Sequence, residues 1–432
     1  MVKEHGSVRR AARLVQLGAS LAGSYLAYQL QRPFVDAERA NGRREALKRK
    51  HAKQVRQELQ TLRGPIMKVG QALSMQTHFL GSELVQKLSA LQMHAPPMHS
   101  SLMHAQFKSS LGKYPEDLFR SFELEPFAAA SLGQVHWAVT QRGEDVAVKI
   151  QYPAMREAIA ADFQALRAAG FAARVTGHLP ESVIRETERG ILEETDYLKE
   201  ARNIEYFRKA LAPLEFVRIP RVYPELSSDR VLTMSRICGL RLQDFLKTNP
   251  SQQLRDKHGV GLTCLFFFQL FRVQALHADP HPGNYLFNRD GTIGLVDFGC
   301  VKFLKPEVVR CYAQFWSREW AHDRGLYKEI IRTIFGPRVS PEEPRVRRCM
   351  NGIRAFYDEF HPLKDSGPLE LADSRFMDEL GKLAAVLLKN KFLSPEFLFL
   401  SRTESGMCNL LHILKARVPT TQIARRWMPM LR

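Results

Sequence analysis

The fold class predicted is α+β: a small β-rich lobe followed by a larger helical lobe, with a helical extension ahead of both. Three observations predict it. Residues 127–153 alternate apolar with polar positions and are rich in valine, the texture of half-buried strands. From Leu242 onward the apolar spacing is mostly helical, and helical periodicity also runs through residues 34–122, before the first strand signal. At 432 residues, with 45% hydrophobic and 25% charged side chains, the chain has the length and balance for more than one compact, core-forming unit.

The expected organisation is 1–60, 61–125, 126–236 and 237–432. The first part is basic, with Arg9, Arg10 and Arg13 and then Arg43, Arg44, Lys48, Arg49, Lys50, Lys53 and Arg56. Its segment 14–30 is ~17 residues long, at the lower limit for a membrane span. Gln16, Ser20, Ser24 and Gln29 dilute it. Two readings stand: an amphipathic or weakly spanning anchor, and an ordinary packing helix. Within 61–125, Ile66, Val69, Leu73, Leu84, Leu88 and Leu91 recur at helical spacing. Pro96 and Pro97 break that pattern, and a second helical stretch is expected from Leu102 to Phe122. Strands follow around Gln134–Trp137 and Val146–Lys149, joined by a turn at Arg142-Gly143. A helical run to about Leu211 precedes short strands near 216–219 and 230–234. In the final part a strand is expected at 292–296.

The formal net charge of +18 favours anionic partners, whether nucleotides or acidic lipid headgroups. Nucleic acid is disfavoured, because the basic run carries no interleaved aromatics to stack on bases. The N-terminal cations read equally as a solvated helix face and as an anionic-membrane patch. Cys238, Cys264, Cys300, Cys311, Cys349 and Cys408 are scattered, with no C-x-x-C pair. That argues against a zinc site or disulfide framework and for a reducing compartment.

Chemistry concentrates in four elements that stand in one order. Lys149 closes VAVK, on a strand whose alternation sets Val146 and Val148 on one face and Ala147 and Lys149 on the other. Asp279 and Asn284 lie in HADPHPGN, and Asp297 opens DFG. A lysine on a rigid strand can pair with α- and β-phosphates, while Asn284 and Asp297 supply the hard oxygens that magnesium prefers. Asp279 can orient a nucleophile or accept its proton. Either motif alone arises readily by chance; together and in order they point to Mg-ATP binding in a protein-kinase-like two-lobed fold. His277 and His281 stand four apart, but Pro280 and Pro282 forbid the helix that would set both on one metal.

Three departures separate the chain from a protein kinase. Ala128-Ala129-Ala130-Ser131-Leu132-Gly133 stands where a glycine-rich loop would cover the phosphates. His281 occupies the usual lysine position of the catalytic loop. After DFG, CVKFLKPEVV runs into helical sequence with no room for a peptide-seating activation segment.

These residues resemble the UbiB family of atypical kinases, also called aarF-domain-containing or ADCK proteins, over roughly residues 60–330. The resemblance rests on Lys68-Val69-Gly70-Gln71 (K-x-G-Q), Ala128-Ala129-Ala130-Ser131, VAVKIQYP at 146–153, Glu194-Thr195-Asp196 (E-x-D), HADPHPGN and DFG. It implies a kinase-like fold in which the helical K-x-G-Q element lies over the active site. It also implies pairing of Lys68 with Glu194 and Asp196, and of Lys149 with Glu200. On spacing alone Glu186, Glu188 and Glu193 compete with Glu200 for that place. Adenine would be held near Met234, and the following Ser235-Arg236-Ile237-Cys238-Gly239 lacks the acidic residue common in the family. The expectation is an ATPase or small-molecule/lipid kinase using ATP and Mg2+, with a lipid or isoprenoid ligand. It would support ubiquinone or isoprenoid metabolism, alongside ubiquinone-biosynthesis proteins, at a bacterial inner membrane or in a mitochondrion. The alternative is a catalytically weak, ATP-dependent lipid-binding scaffold.

Overall fold

A computed structural model describes residues 24, 98–130, 132–174, 181–361, 367–388 and 394–428. The basic extension with its 14–30 segment, the K-x-G-Q motif with Lys68, and Ser131 lie outside the described residues. The chain divides into two compact units. Among the described residues, the first holds those up to Ala201 together with Val222–Ser235; the second holds Arg202–Arg221 and those from Arg236 onward.

The first unit is built on a five-stranded antiparallel sheet. Strands β1 (Phe119–Phe122), β2 (Ala128–Ala130), β3 (Gly133–Thr140), β4 (Asp145–Gln151) and β6 (Val231–Ser235) make it, in the order β1-β3-β4-β6 with β2 added to β3. Gly143, at φ 82°, turns β3 into β4. Val146, Val148 and Ile150 bury one face of β4 against Met103 and Phe107 of α1 (Ser100–Leu111). The helical stretch expected to run to Phe122 stops at α2 (Pro115–Leu118), and Phe119–Phe122 is a strand. Phe119 and Phe122 each lie 6.2 Å from the Phe107 ring, so aromatic packing and pairing with β3 win over helical propensity. Three helices follow β4: α3 (Met155–Arg174), α4 (Glu181–Glu193) and α5 (Tyr197–Ala210).

The division between units falls inside α5. Residues 202–221, expected with the β-rich lobe, pack with the second unit instead. The reason is strand β5 (Val217–Arg218), which pairs in parallel with β10 (Ile293–Leu295). Its sheet has the order β5-β10-β9-β7, where β7 is Leu240–Arg241 and β9 is Tyr285–Phe287. A second ladder joins β8 (Ala275–His277) to β11 (Val301–Phe303). The rest is helical: α6 (Leu242–Lys247), α7 (Gln252–Phe268), α8 (Pro306–Ser317), α9 (Arg324–Phe335), α10 (Pro344–Phe360), α11 (Ser374–Leu388), α12 (Pro395–Leu414) and α13 (Thr420–Trp427). Local chemistry starts these helices. Ser251, Asp323 and Ser394 cap α7, α9 and α12 through their side-chain oxygens, and proline opens α8, α10 and α12. A small ladder of β12 (Leu369–Glu370) with β13 (Arg417–Val418) completes the unit. Among the described residues no helix is long and apolar enough to cross a membrane.

Glu404 on α12 sits against the aromatic packing of the helical unit: it accepts from Tyr312 Oη at 2.6 Å and lies 3.4 Å from Tyr357 Oη. Burial pushes its pKa up to about 7. An acid whose folded pKa is raised stabilises the fold fully below its unfolded pKa, and that contribution is lost as pH rises through the folded value. Stability of the helical unit is therefore expected to fall by up to about 3 kcal/mol as pH rises from the ordinary glutamate range to about 7. Urea unfolding across this range should show that slope, and Glu404→Gln should flatten it. An unchanged slope in the variant would exclude Glu404 as its source.

Candidate active site

In the first unit the site begins at the centre of the sheet. Lys149 on β4 pairs in register with Val135 of β3 and Leu232 of β6, so strands flank it on both sides and it is only 7% exposed. Its ammonium donates to both carboxylate oxygens of Glu200, at 2.9 and 2.8 Å, and lies 4.9 Å from the Tyr197 ring centroid. Tyr197 and Glu200 sit three residues apart on α5 and share one face. Of the competing acids, Glu188 pairs with Arg167 and Glu193 with Lys199.

Two further contacts set where Glu200 falls. Asp196 immediately precedes α5, and its Oδ1 accepts from Lys199 N at 2.9 Å, a cap on the helix start. Gln151, two residues beyond Lys149, donates to Thr195 O at 2.9 Å and ties the end of β4 to the α4–α5 turn. Glu194 lies half-buried in that turn, beside Asp196 in sequence. The partner expected for both, Lys68, is outside the described residues.

The alanine-rich stretch is a strand. Ala128, Ala129 and Ala130 pair with Val135, Gln134 and Gly133, and Ala129 is exposed. Gly133 answers a different demand from a phosphate-covering glycine: a Cβ there would stand 2.2 Å from Ile150 O and 2.9 Å from Tyr197 Oη. Close approach of β3 to β4 requires it. Met234 on β6 is 6% exposed, opposite Ala147.

In the second unit a hairpin gathers a second set of candidate residues. β9 and β10 run antiparallel with Leu295 opposite Tyr285, and Val296 N donates to Asn284 O at 3.2 Å. That register sets Asn284 and Asp297 within one residue of each other across the ladder. Asn284 Nδ2 donates to Asp279 Oδ2 at 2.8 Å and to Asp279 O at 3.1 Å. The amide nitrogen is thereby spent, and the group it leaves for a cation is a carbonyl oxygen. Asp297 Oδ1 accepts from Gly299 N at 2.9 Å, closing the DFG turn. Phe298 is fully buried against Phe207 of α5, and Asn203, on the same helix, donates to its carbonyl at 2.9 Å.

His277 and His281 serve structure here. His277 Nε2 hydrogen-bonds the Asp297 carbonyl, and its backbone N donates to Gln269 Oε1 at 2.7 Å. His281 Nδ1 accepts from Gly283 N at 3.1 Å. The loop is seated on α12 at Gly406, where a Cβ would stand 2.2 Å from Pro280 Cγ. Burial, with the charge of Asp279 added, holds the Tyr285 phenol well above its usual pKa, so the residue after Asn284 stays neutral. Beyond DFG, β11 spans only Val301–Phe303 before α8 opens at Pro306.

The donor set suits a hard divalent ion: one amide oxygen and the carboxylate of Asp297, with the Asp279 carboxylate beside the amide. Magnesium keeps most of its shell as water and phosphate oxygen, so so few protein ligands fit it. Among the described residues no group of three His, Cys, Asp or Glu could hold a metal by itself.

A β-sheet lysine clasped by a helix glutamate, with an Asp–Asn loop and a DFG turn on a hairpin, defines a kinase-like protein. The ABC1 atypical kinase-like domain matches residues 90–331, and the chain belongs to that family. It is 35% identical over 367 residues to an uncharacterized aarF domain-containing protein kinase, chloroplastic, of Arabidopsis thaliana, covering 84% of this chain and 50% of that one. It is 33% identical to the atypical kinase COQ8B, mitochondrial, of Rattus norvegicus (68% and 54% covered). With the probable protein kinase UbiB of Vibrio vulnificus the identity is 34% (60% and 50% covered). The chain spans about half the length of the curated relatives it matches. Among solved structures it is similar to Mycobacterium tuberculosis Rv3197 in complex with erythromycin, with a TM-score of 0.63 and 26% identity, covering 90% of this chain and 99% of that one.

Removing one member of the Lys149–Glu200 pair strands a buried charge. Glu200→Gln is expected to lower unfolding free energy by about 3–5 kcal/mol. Lys149→Met with Glu200→Leu should recover most of that loss, since no charge is then buried alone. Urea titration of the three proteins checks both statements, and a single variant as stable as the wild type would refute the buried-pair argument.

Proposed function

We propose that this chain is an atypical kinase-like ATPase or small-molecule/lipid kinase that uses Mg-ATP and supports ubiquinone or isoprenoid-lipid metabolism at a membrane. The observation that carries the reading is the buried, two-oxygen clasp of Lys149 by Glu200. An apolar pair of similar volume would serve stability as well or better. An ion pair retained at the centre of a sheet, with the lysine in register on both sides, is what a rigid phosphate-binding ammonium requires.

In this reading Lys149 neutralises the α- and β-phosphates, with Glu200 fixing the direction of its ammonium. Asn284 and Asp297 hold magnesium, which offsets charge on the phosphate oxygens when bound. Asp279, oriented by the Asn284 amide, accepts the proton of the attacking hydroxyl as the γ-phosphoryl group leaves ADP. The adenine lies against the backbone around Met234, under the strand made by Ala128, Ala129 and Ala130. Lys68, Glu194 and Asp196 order the K-x-G-Q element over the site. The short passage from DFG to α8 supports a small acceptor over a peptide. The names of the relatives, COQ8B and UbiB, support the ubiquinone context. The basic extension supports contact with an anionic membrane surface.

Magnesium-ATP is expected to raise the melting temperature of the wild type and to lose most of that effect in Asp297→Asn. Equal shifts in the two proteins, or none in either, would remove the assignment. Phosphate release from ATP should be abolished by Asp279→Asn while nucleotide binding persists; binding without turnover in the wild type itself would favour the scaffold alternative. Liposome association should grow with anionic lipid content and weaken with salt. Indifference to both would exclude the membrane role of the extension.

A further inference from the structure

Gly406 lies in the interior of α12, away from either end of the helix. Glycine weakens a helix relative to alanine, so an interior glycine needs a reason in its surroundings. Other helices of the chain give no such reason or a purely structural one. Gly190 of α4 and Gly381 of α11 would meet nothing within 4 Å if each gained a Cβ, while Gly259 of α7 makes room for Ala416 and Val418. Gly406 makes room for Pro280. A Cβ at 406 would stand 2.2 Å from Pro280 Cγ and 2.9 Å from Pro280 Cβ, and Pro280 directly follows Asp279.

Neither side of this contact yields easily. The proline ring locks its own φ and has no rotamer by which to swing aside. Before the loop, β8 is fixed to β11 with His277 opposite Val301, and Ala278 N donates to Cys300 O at 2.9 Å. Within it, the Asn284 amide holds Asp279 by both its backbone and its side-chain oxygen. Helix α12 is fixed from its other side. Glu404, two residues from Gly406 and so on the far face of the helix, accepts from Tyr312 of α8, and the Phe397 ring packs 5.8 Å from that of Phe315. Leu400, Leu410 and Leu414 are fully buried. The room left for the Asp279 loop is therefore set by what stands at 406.

An alanine at 406 regains ordinary contact with Pro280 only if the loop retreats by about 1 Å. A reacting group displaced by that much loses on the order of a hundredfold in rate. On the reading of Asp279 as proton acceptor, we propose that Gly406 is a positioning residue for the reaction. Its missing side chain lets Pro280 sit on α12, and that seat fixes where the Asp279 carboxylate stands. Gly406 offers no chemical group of its own; it acts through Pro280.

Turnover and amide exchange, measured together on the full-length protein, test this. Gly406→Ala should lower kcat for phosphate release from ATP about a hundredfold, with KM for ATP changed far less. Hydrogen exchange followed by mass spectrometry should quicken in the peptide covering 277–284. Gly259→Ala is the control, a comparable intrusion in the same unit that strikes Ala416 at 2.5 Å and leaves the loop alone. It should lower the melting temperature while kcat and exchange over 277–284 stay as in the wild type. Pro280→Ala removes the Cγ that is struck. Adding Gly406→Ala to it should therefore leave kcat within about threefold of Pro280→Ala alone. Unchanged kcat and exchange in Gly406→Ala overturn the proposal. So does an equal loss of kcat in Gly259→Ala, or no recovery in the double variant. A wild type without turnover overturns the proton-acceptor reading of Asp279 instead, and exchange in the same variants then decides whether Gly406 sets the loop.

Discussion

Burying a lysine and a glutamate against each other on the central strand of a sheet constrains almost everything around them. Lys149 is desolvated because β3 and β6 flank β4, so its charge must be met by a partner delivered from outside the sheet. Helix α5 delivers that partner, and only if it starts in the right place. Asp196 caps the start, Gln151 ties the end of β4 to the turn before it, and Gly133 lets β3 approach without striking Ile150 or Tyr197. Each of these contacts is modest on its own. Together they hold an ammonium in one direction, which a flexible surface lysine cannot do.

The second unit solves a different problem with a different device. It sets two oxygen-bearing side chains at a defined spacing, and an antiparallel ladder does so through register. Tyr285 opposite Leu295 brings Asn284 and Asp297 together, and the hydrogen bond from Asn284 to Asp279 orients both side chains at once. Aromatic packing of Phe298 on Phe207 and the His277 contact to the Asp297 carbonyl keep the DFG turn in place.

Much of the site was legible because its parts are local in sequence. D-x-x-x-x-N and DFG each lie within one loop or turn, and alternation around VAVK identifies the strand and the face that carries Lys149. What escaped was a matter of long-range packing. Glu200 stood among four acids that spacing could not separate, fifty-one residues from its lysine. Gly133 read as a remnant of a phosphate loop, whereas a close strand crossing requires it. Asp196 had a local signal, an acid directly before a helical run, but the E-x-D pattern drew it toward a charge partner and away from its capping role. Phe119–Phe122 looked helical until aromatic contacts with Phe107 and pairing with β3 made it an edge strand.

From the amino acids alone came the α+β class, the order of the motifs and the chemical character of each candidate residue. Those properties depend on side-chain type and on neighbours a few residues away, which a linear chain displays directly. The tertiary structure decided which glutamate meets Lys149 and that residues 202–221 join the second unit through a parallel strand pair. It also decided that Gly406 lies against Pro280. Each of those outcomes needs segments far apart in sequence to be brought to within a few ångströms, and only the register and packing of the folded chain set such distances.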